Sequence, residues 1–145
     1  MIAEKIERTT LRNLLHNEDY TRKVLPFLKS EYFQDRSERV VFTEIQKFIS
    51  QYNKRPTKET LQIDLTKRKD LNEDEYKKIV NLISSLDPQE VDLDWLVNTT
   101  EKFCKDRAVH NAVMDGIHII DGKDKKHTPE AIPEILRDAL SVSFD

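Results

Sequence analysis

Glycine is almost absent: two residues in 145, with five prolines and one cysteine. So few turn-formers, beside plentiful Glu, Lys, Leu and Ile, point to an all-helical chain. Neither GxxxxGK[ST] nor GxGxxG occurs, and two glycines would not build either phosphate-cradling loop. The lone Cys104 excludes an internal disulfide framework and any CxxC metal motif, and it fits a reducing compartment. His16, His110, His118 and His127 lack the i, i+4 spacing of a helical metal pair. No apolar run approaches a membrane span, and MIAEKIERTT is too charged for a signal peptide. A net charge of −3 argues against a nucleic-acid clamp, which needs a clustered basic surface. The expectation is a soluble, intracellular chain of one domain that binds neither membrane nor, with any strength, DNA.

What is present is helical patterning. Residues 3–16 predict a first helix, with Ile6, Leu11, Leu14 and Leu15 as its apolar members. Asn17 caps a second, from Glu18 to about Leu28, which Pro26 kinks or ends at Leu25. Tyr32 and Phe33 sit in a short turn, after which Ser37 is the expected cap of a third helix. Its stripe of Val41, Ile45, Phe48, Ile49 and Tyr52 marks one buried face. Thr57 caps a short helix carrying Leu61 and Leu65. Asn72 and Glu75 form a capping box before a helix with Tyr76, Ile79, Val80, Ile83 and Leu86 on one side. Phe33, Val41, Phe42, Ile45, Phe48, Ile79 and Ile83 are the expected core.

A long helix follows, from about Asp92 to Ile120, a rod of about 40 Å. Its apolar residues make no single seam. Leu93, Leu96, Val97, Phe103 and Cys104 serve the first half. Ala108, Val109, Ala112, Val113, Ile117 and Ile120 serve the second. So long a rod is expected to project and to pack on something else. Trp95 is assigned to the core, at the junction of rod and globule. DGKDKKHT, residues 121–128, carries Lys123, Lys125, Lys126 and His127, interrupted by Asp124, and reads as a solvated loop. IPEILRDAL is a last short helix with Pro133 in its first turn, and Val142 and Phe144 follow it with nothing evident to cover them. The expected architecture is therefore all-α: a globule of about five helices, and a projecting helix that forms a hairpin or a linker with the last one. The divisions are a head over residues 1–90, the rod over 91–121, a basic loop over 122–131 and an arm or linker over 132–145.

No catalytic, cofactor or metal constellation emerges. Cys104 and His110 are six apart on different helix faces, and neither has an orienting partner. Glu4 with Arg8, and Glu101 with Lys105, stand at i, i+4 as on a solvated face.

LLHNEDYTRKVLPFLKSEYFQDRSERVVFTEIQKFISQY resembles the start of DnaB-type replicative DNA helicases: two helices, an "eyF" turn and a helix whose words here are ERVVFTEI. WLVNTTEKFCKDRAVHNAVMDGI resembles the family's long helix, with Arg107 where its arginine falls. AIPEILRDALSVSFD matches the ending shared by the replicative helicases of large tailed phages. The resemblance covers nearly the whole chain. It implies an N-terminal domain without enzyme activity of its own, working in the cytoplasm of an infected bacterial host. The RecA-like motor, with its ATP and Mg, would lie C-terminal to these residues. It also implies self-pairing into the collar of a hexameric ring, with primase, and a helicase loader, as further partners. Phe103, Val109, Val113, Ile117 and Ile120 are the candidate subunit interface. Ile135, Leu136, Ala139 and Leu140 are candidate docking residues if the last helix is the family's linker. The rival reading is a stand-alone helical adaptor for a primase or a loader.

Overall fold

Side-chain caps set most of the helix starts. In the computed structural model, which describes residues 4–145, seven α-helices form and no strand does among the described residues. They are α1 (Ile6–His16), α2 (Glu18–Val24), α3 (Arg36–Tyr52), α4 (Lys58–Leu65), α5 (Glu73–Ser85), α6 (Leu93–Ile120) and α7 (Ile132–Leu140). Residue 3, where the first helix was expected to begin, lies outside the described residues. Asn17 takes the Tyr20 amide, and Thr57–Thr60 and Asn72–Glu75 form reciprocal capping boxes. Ser37 does not cap α3. Asp35 does, accepting from the Glu38 amide, and Ser37 is buried in the first turn. A carboxylate at that position also favours the positive end of the helix. Pro26 ends α2 at Val24 and the chain tightens into a 3-10 turn over Leu25–Phe27. Asn53 closes α3 in the left-handed region, φ 55°, which asparagine tolerates better than most residues.

The head centres on α3, which packs against α1, α4 and α5, while α6 lies across α1, α2 and the 3-10 turn at Ser30–Tyr32. Phe33, at the end of that turn, is the junction. Its ring stacks on Phe42 of α3 at 5.0 Å and meets Phe103 of α6 edge-on at 5.9 Å. A buried hydroxyl relay joins α2 to α6. Thr100 donates its single proton to the Leu96 carbonyl at 2.7 Å, so Tyr20 is the donor in its 2.7 Å bond to Thr100. Phe33, Val41, Phe42, Ile45, Ile79 and Ile83 are all buried, as expected, together with Leu11, Leu14, Leu61 and Leu65. Phe48 is only half-buried and rests on Tyr52, ring centroids 4.7 Å apart, and Tyr52 is itself exposed. The far end of the α3 stripe thus leaves the core, because no described helix reaches over it.

The last helix turns back on the long one. Ile132, at the start of α7, lies against Gly116 of α6, and Phe144, just past the end of α7, reaches Glu101. The two helices are therefore antiparallel arms of a hairpin. Nor is the tail uncovered. Phe144 stacks on Phe27 at 4.8 Å, with the planes 18° apart, and its amide donates to Glu101 Oε2 at 2.9 Å. Val142 packs against the core cluster.

Candidate functional site: the outer face of the long helix

Six of the eight buried residues of α6 stand four apart, Leu96, Thr100, Cys104, Ala108, Ala112 and Gly116, with Phe103 and Ile119 buried beside them. At 100° per residue each step of four advances about 40° around the axis, so this ridge turns through about 200° along the helix. The ridge begins on the head and ends under α7. Its later members are small, which lets α7 approach closely. A winding ridge explains why no single apolar seam was visible: the buried direction changes along the rod.

Winding also frees a second face. Trp95, Val109, Val113, Ile117 and Ile120 fall within about 80° of one another on the helix. Val113 is 47% exposed, Ile117 43% and Ile120 70%, and Met114 beside them is exposed too. Val109 is half-buried at the edge of the core. Phe103, grouped with these as a candidate interface residue, lies at the edge of this face and is buried against Phe33. Trp95 is not a core plug. It stands 55% exposed in the first turn of α6, because the ridge that faces the head starts at Leu96 instead. On α7, Ala139 is buried, Ile135 and Leu136 pack half-buried on the core cluster, and Leu140 is 73% exposed. Three of the four candidate docking residues are thus taken up by the hairpin.

Polar groups at this surface hold geometry. Arg107 lies over the Phe103 ring, 5.9 Å from its centroid, and pairs with Glu7 of α1 at 3.8 Å. Asn111 donates to the Glu31 carbonyl at 3.0 Å. Lys105 pairs with Glu101 at 3.7 Å, as its spacing predicted, whereas Arg8 turns to Glu38 and Glu4 to Arg12. Burial, with the Glu101 charge adding to it, pushes the Cys104 thiol up to about 12, so it is a packing residue and not a thiolate nucleophile. No group of three or more His, Cys, Asp or Glu side chains has metal-binding geometry among the described residues. No described helix is long and apolar enough to cross a membrane.

The hairpin tip is ordered by its own hydrogen bonds. Gly122 adopts φ +73°, with its amide on the Ile119 carbonyl at 3.2 Å and the Lys123 amide on His118 at 2.9 Å. That paired termination needs a left-handed residue, which glycine supplies without strain. Asp124 then gathers the amides of Lys126 and His127 and the His127 ring. The bond from the His127 ring, with those amides, holds the Asp124 carboxyl below its ordinary range. Lys123, Lys125 and Lys126 are exposed and form no ion pair among the described residues.

Residues 2–94 match the family described as the DnaB-like helicase N terminal domain. The chain belongs to that family. It is also 35% identical, over 143 residues, to a DnaB-like replicative helicase of Enterobacteria phage T4. That alignment takes in 93% of this chain and 30% of the relative, so this DnaB-like domain spans less than a third of the relative's length. The family match ends at the first turn of α6, while the similarity to the phage protein continues through most of the chain.

Proposed function

We propose that this domain is the assembly and docking part of a phage replicative DNA helicase, and that it pairs with a second copy through the outer face of α6. In this reading the motor that uses ATP and Mg lies C-terminal to these residues. Pairs of domains form the collar of a hexameric ring, primase docks on that collar, a helicase loader is a further partner, and the work is done in the cytoplasm of the infected host. One observation carries the pairing. Val113, Ile117 and Ile120 lie side by side and exposed at the far end of a rod of about 42 Å, on the side that α7 leaves uncovered. Contiguous apolar surface of this kind marks a protein interface more often than solvated helix.

Light scattering over a concentration series tests it. The natural chain is expected to pair at high micromolar concentration, with weak affinity, because in a ring the other contacts would add avidity. Val113→Asp with Ile117→Asp is expected to abolish pairing with the helical circular dichroism unchanged, since both positions are exposed in the single chain. A strict monomer at high concentration, or pairing that survives the double substitution, counts against this face.

A further inference from the structure

From Ile45 to Lys58 the chain carries Lys47, Lys54, Arg55 and Lys58 and no acid. Glu44, just before this run, is buried and bonded to Arg68 at 3.0 Å, and Glu59 is the next acid after it. Lys47 and Lys54 are exposed and form no ion pair among the described residues. Arg55 holds the Leu15 carbonyl at 2.8 Å, a neutral partner that leaves its charge in place. Lys58 alone is neutralised, by Asp87. Basic residues past a helix C-terminus are ordinary, since they face its negative end. What they flank here is not. Phe48 is half-buried and Tyr52 is 53% exposed, their rings 4.7 Å apart and tilted by 44°. The Tyr52 hydroxyl has no hydrogen bond among the described residues. The left-handed turn at Asn53 then carries the chain straight from Tyr52 into Lys54 and Arg55.

An aromatic pair flanked by cations suits two chemistries, a nucleic-acid strand and an acidic peptide with an apolar side chain. A strand needs cations that track its backbone over many phosphates. Here they gather at one corner of a chain whose net charge is −3. A peptide needs only a seat for one apolar side chain and a few charges at the rim. We propose that the far end of α3 is a docking site for an acidic segment of another protein. One aromatic or aliphatic side chain of that segment rests on Phe48 and Tyr52. Its carboxylates face Lys47, Lys54 and Arg55, and the Tyr52 hydroxyl donates to one of them. The apolar seat supplies most of the affinity, and the cations select the sign of the partner. The site is separate from the outer face of α6. Tyr52 lies about 15 Å along α3 from Phe42, the residue that meets the Phe33 junction with α6. Docking here therefore stands whether or not two copies pair.

The full chain can be titrated with a short synthetic peptide of aspartates and glutamates around one phenylalanine. Amide chemical shifts locate the contact and fluorescence anisotropy of a labelled peptide measures it. Shifts are expected to concentrate between Lys47 and Arg55, and binding should weaken as salt is raised. Lys47→Glu/Lys54→Glu and, separately, Tyr52→Ser should each weaken binding about tenfold or more. All three side chains are exposed, so circular dichroism should show the helices intact. A peptide with alanine in place of the phenylalanine should bind about tenfold more weakly than the parent. No binding at millimolar peptide, shifts centred elsewhere, or variants that bind as well as the natural chain overturn the site. An alanine peptide that binds equally well overturns the apolar seat and leaves a bare charge contact. An oligo-dT strand that binds more tightly than the acidic peptide, at the same residues, overturns the acidic partner in favour of nucleic acid.

Discussion

Phe144 stacks on Phe27 at 4.8 Å, joining the residue that follows the last helix to the 3-10 turn that follows the second. With the Glu101 carboxylate holding the Phe144 amide, this contact binds the end of the hairpin to the head. Phe144→Ala should remove an aromatic pair worth about 1 kcal/mol beyond the area it buries. The loss should be local. Hydrogen exchange is expected to speed up first in α7, with α3 and α5 unchanged. Uniform loss of protection across all helices would mean that the tail is not a separate strap.

Gly116 is a buried glycine four residues before the end of α6, and it looks indispensable for the close approach of α7. It is not. A methyl group there would lie 3.7 Å from Ile132 Cγ2, ordinary van der Waals distance. Gly116→Ala should therefore gain helix propensity, about 0.5–1 kcal/mol, without a clash. A thermal melt should show a rise of a few degrees, and a lower melting temperature would show that α7 lies closer than this. Larger residues should destabilise.

Glu38 gives the chain a pH dependence of known sign. Burial pushes its carboxyl above the usual range, with the charges of Asp35 and Glu7 adding to the effect and Arg8, 3.9 Å away, and Lys5 opposing it. The folded state therefore holds this proton more tightly than the unfolded state. Below the ordinary glutamate pKa both states are protonated and Glu38 contributes nothing. As pH rises through the window between the ordinary and the raised value, the unfolded state releases the proton first and stability falls. Glu38→Gln should remove that fall. Melting temperatures of variant and natural chain should coincide in acid and separate towards neutral pH, the variant being higher. A lower-melting variant at neutral pH would mean that the ion pair with Arg8 outweighs the burial.

Much of the head could be read locally. Asn17, Thr57 and Asn72 cap as their spacing promised, and the leucines of α1 and the isoleucines of α5 are buried on the expected side. Such features depend on neighbours three or four residues away, so a linear string displays them. What escaped depends on distant parts of the chain. Phe144 finds its cover on Phe27, more than a hundred residues earlier. Trp95 is outside because Leu96 takes the inward direction, which is decided by where α1 and α2 stand. The α6 interface candidates look like one set in the sequence, yet the structure buries Phe103 and leaves Ile120 exposed. A signal was present for this: the four-residue spacing from Leu96 to Gly116, hidden because every member after Leu96 is small or polar.

That winding ridge makes α6 a screw with two threads. One thread is engaged by the chain's own head and hairpin arm, and the other, offset and turned outward, is exposed. Substitutions scanned along α6 should therefore separate into two classes, one read in melting temperature and the other in association. The boundary between them should rotate by about 40° with every four residues rather than run straight down the helix.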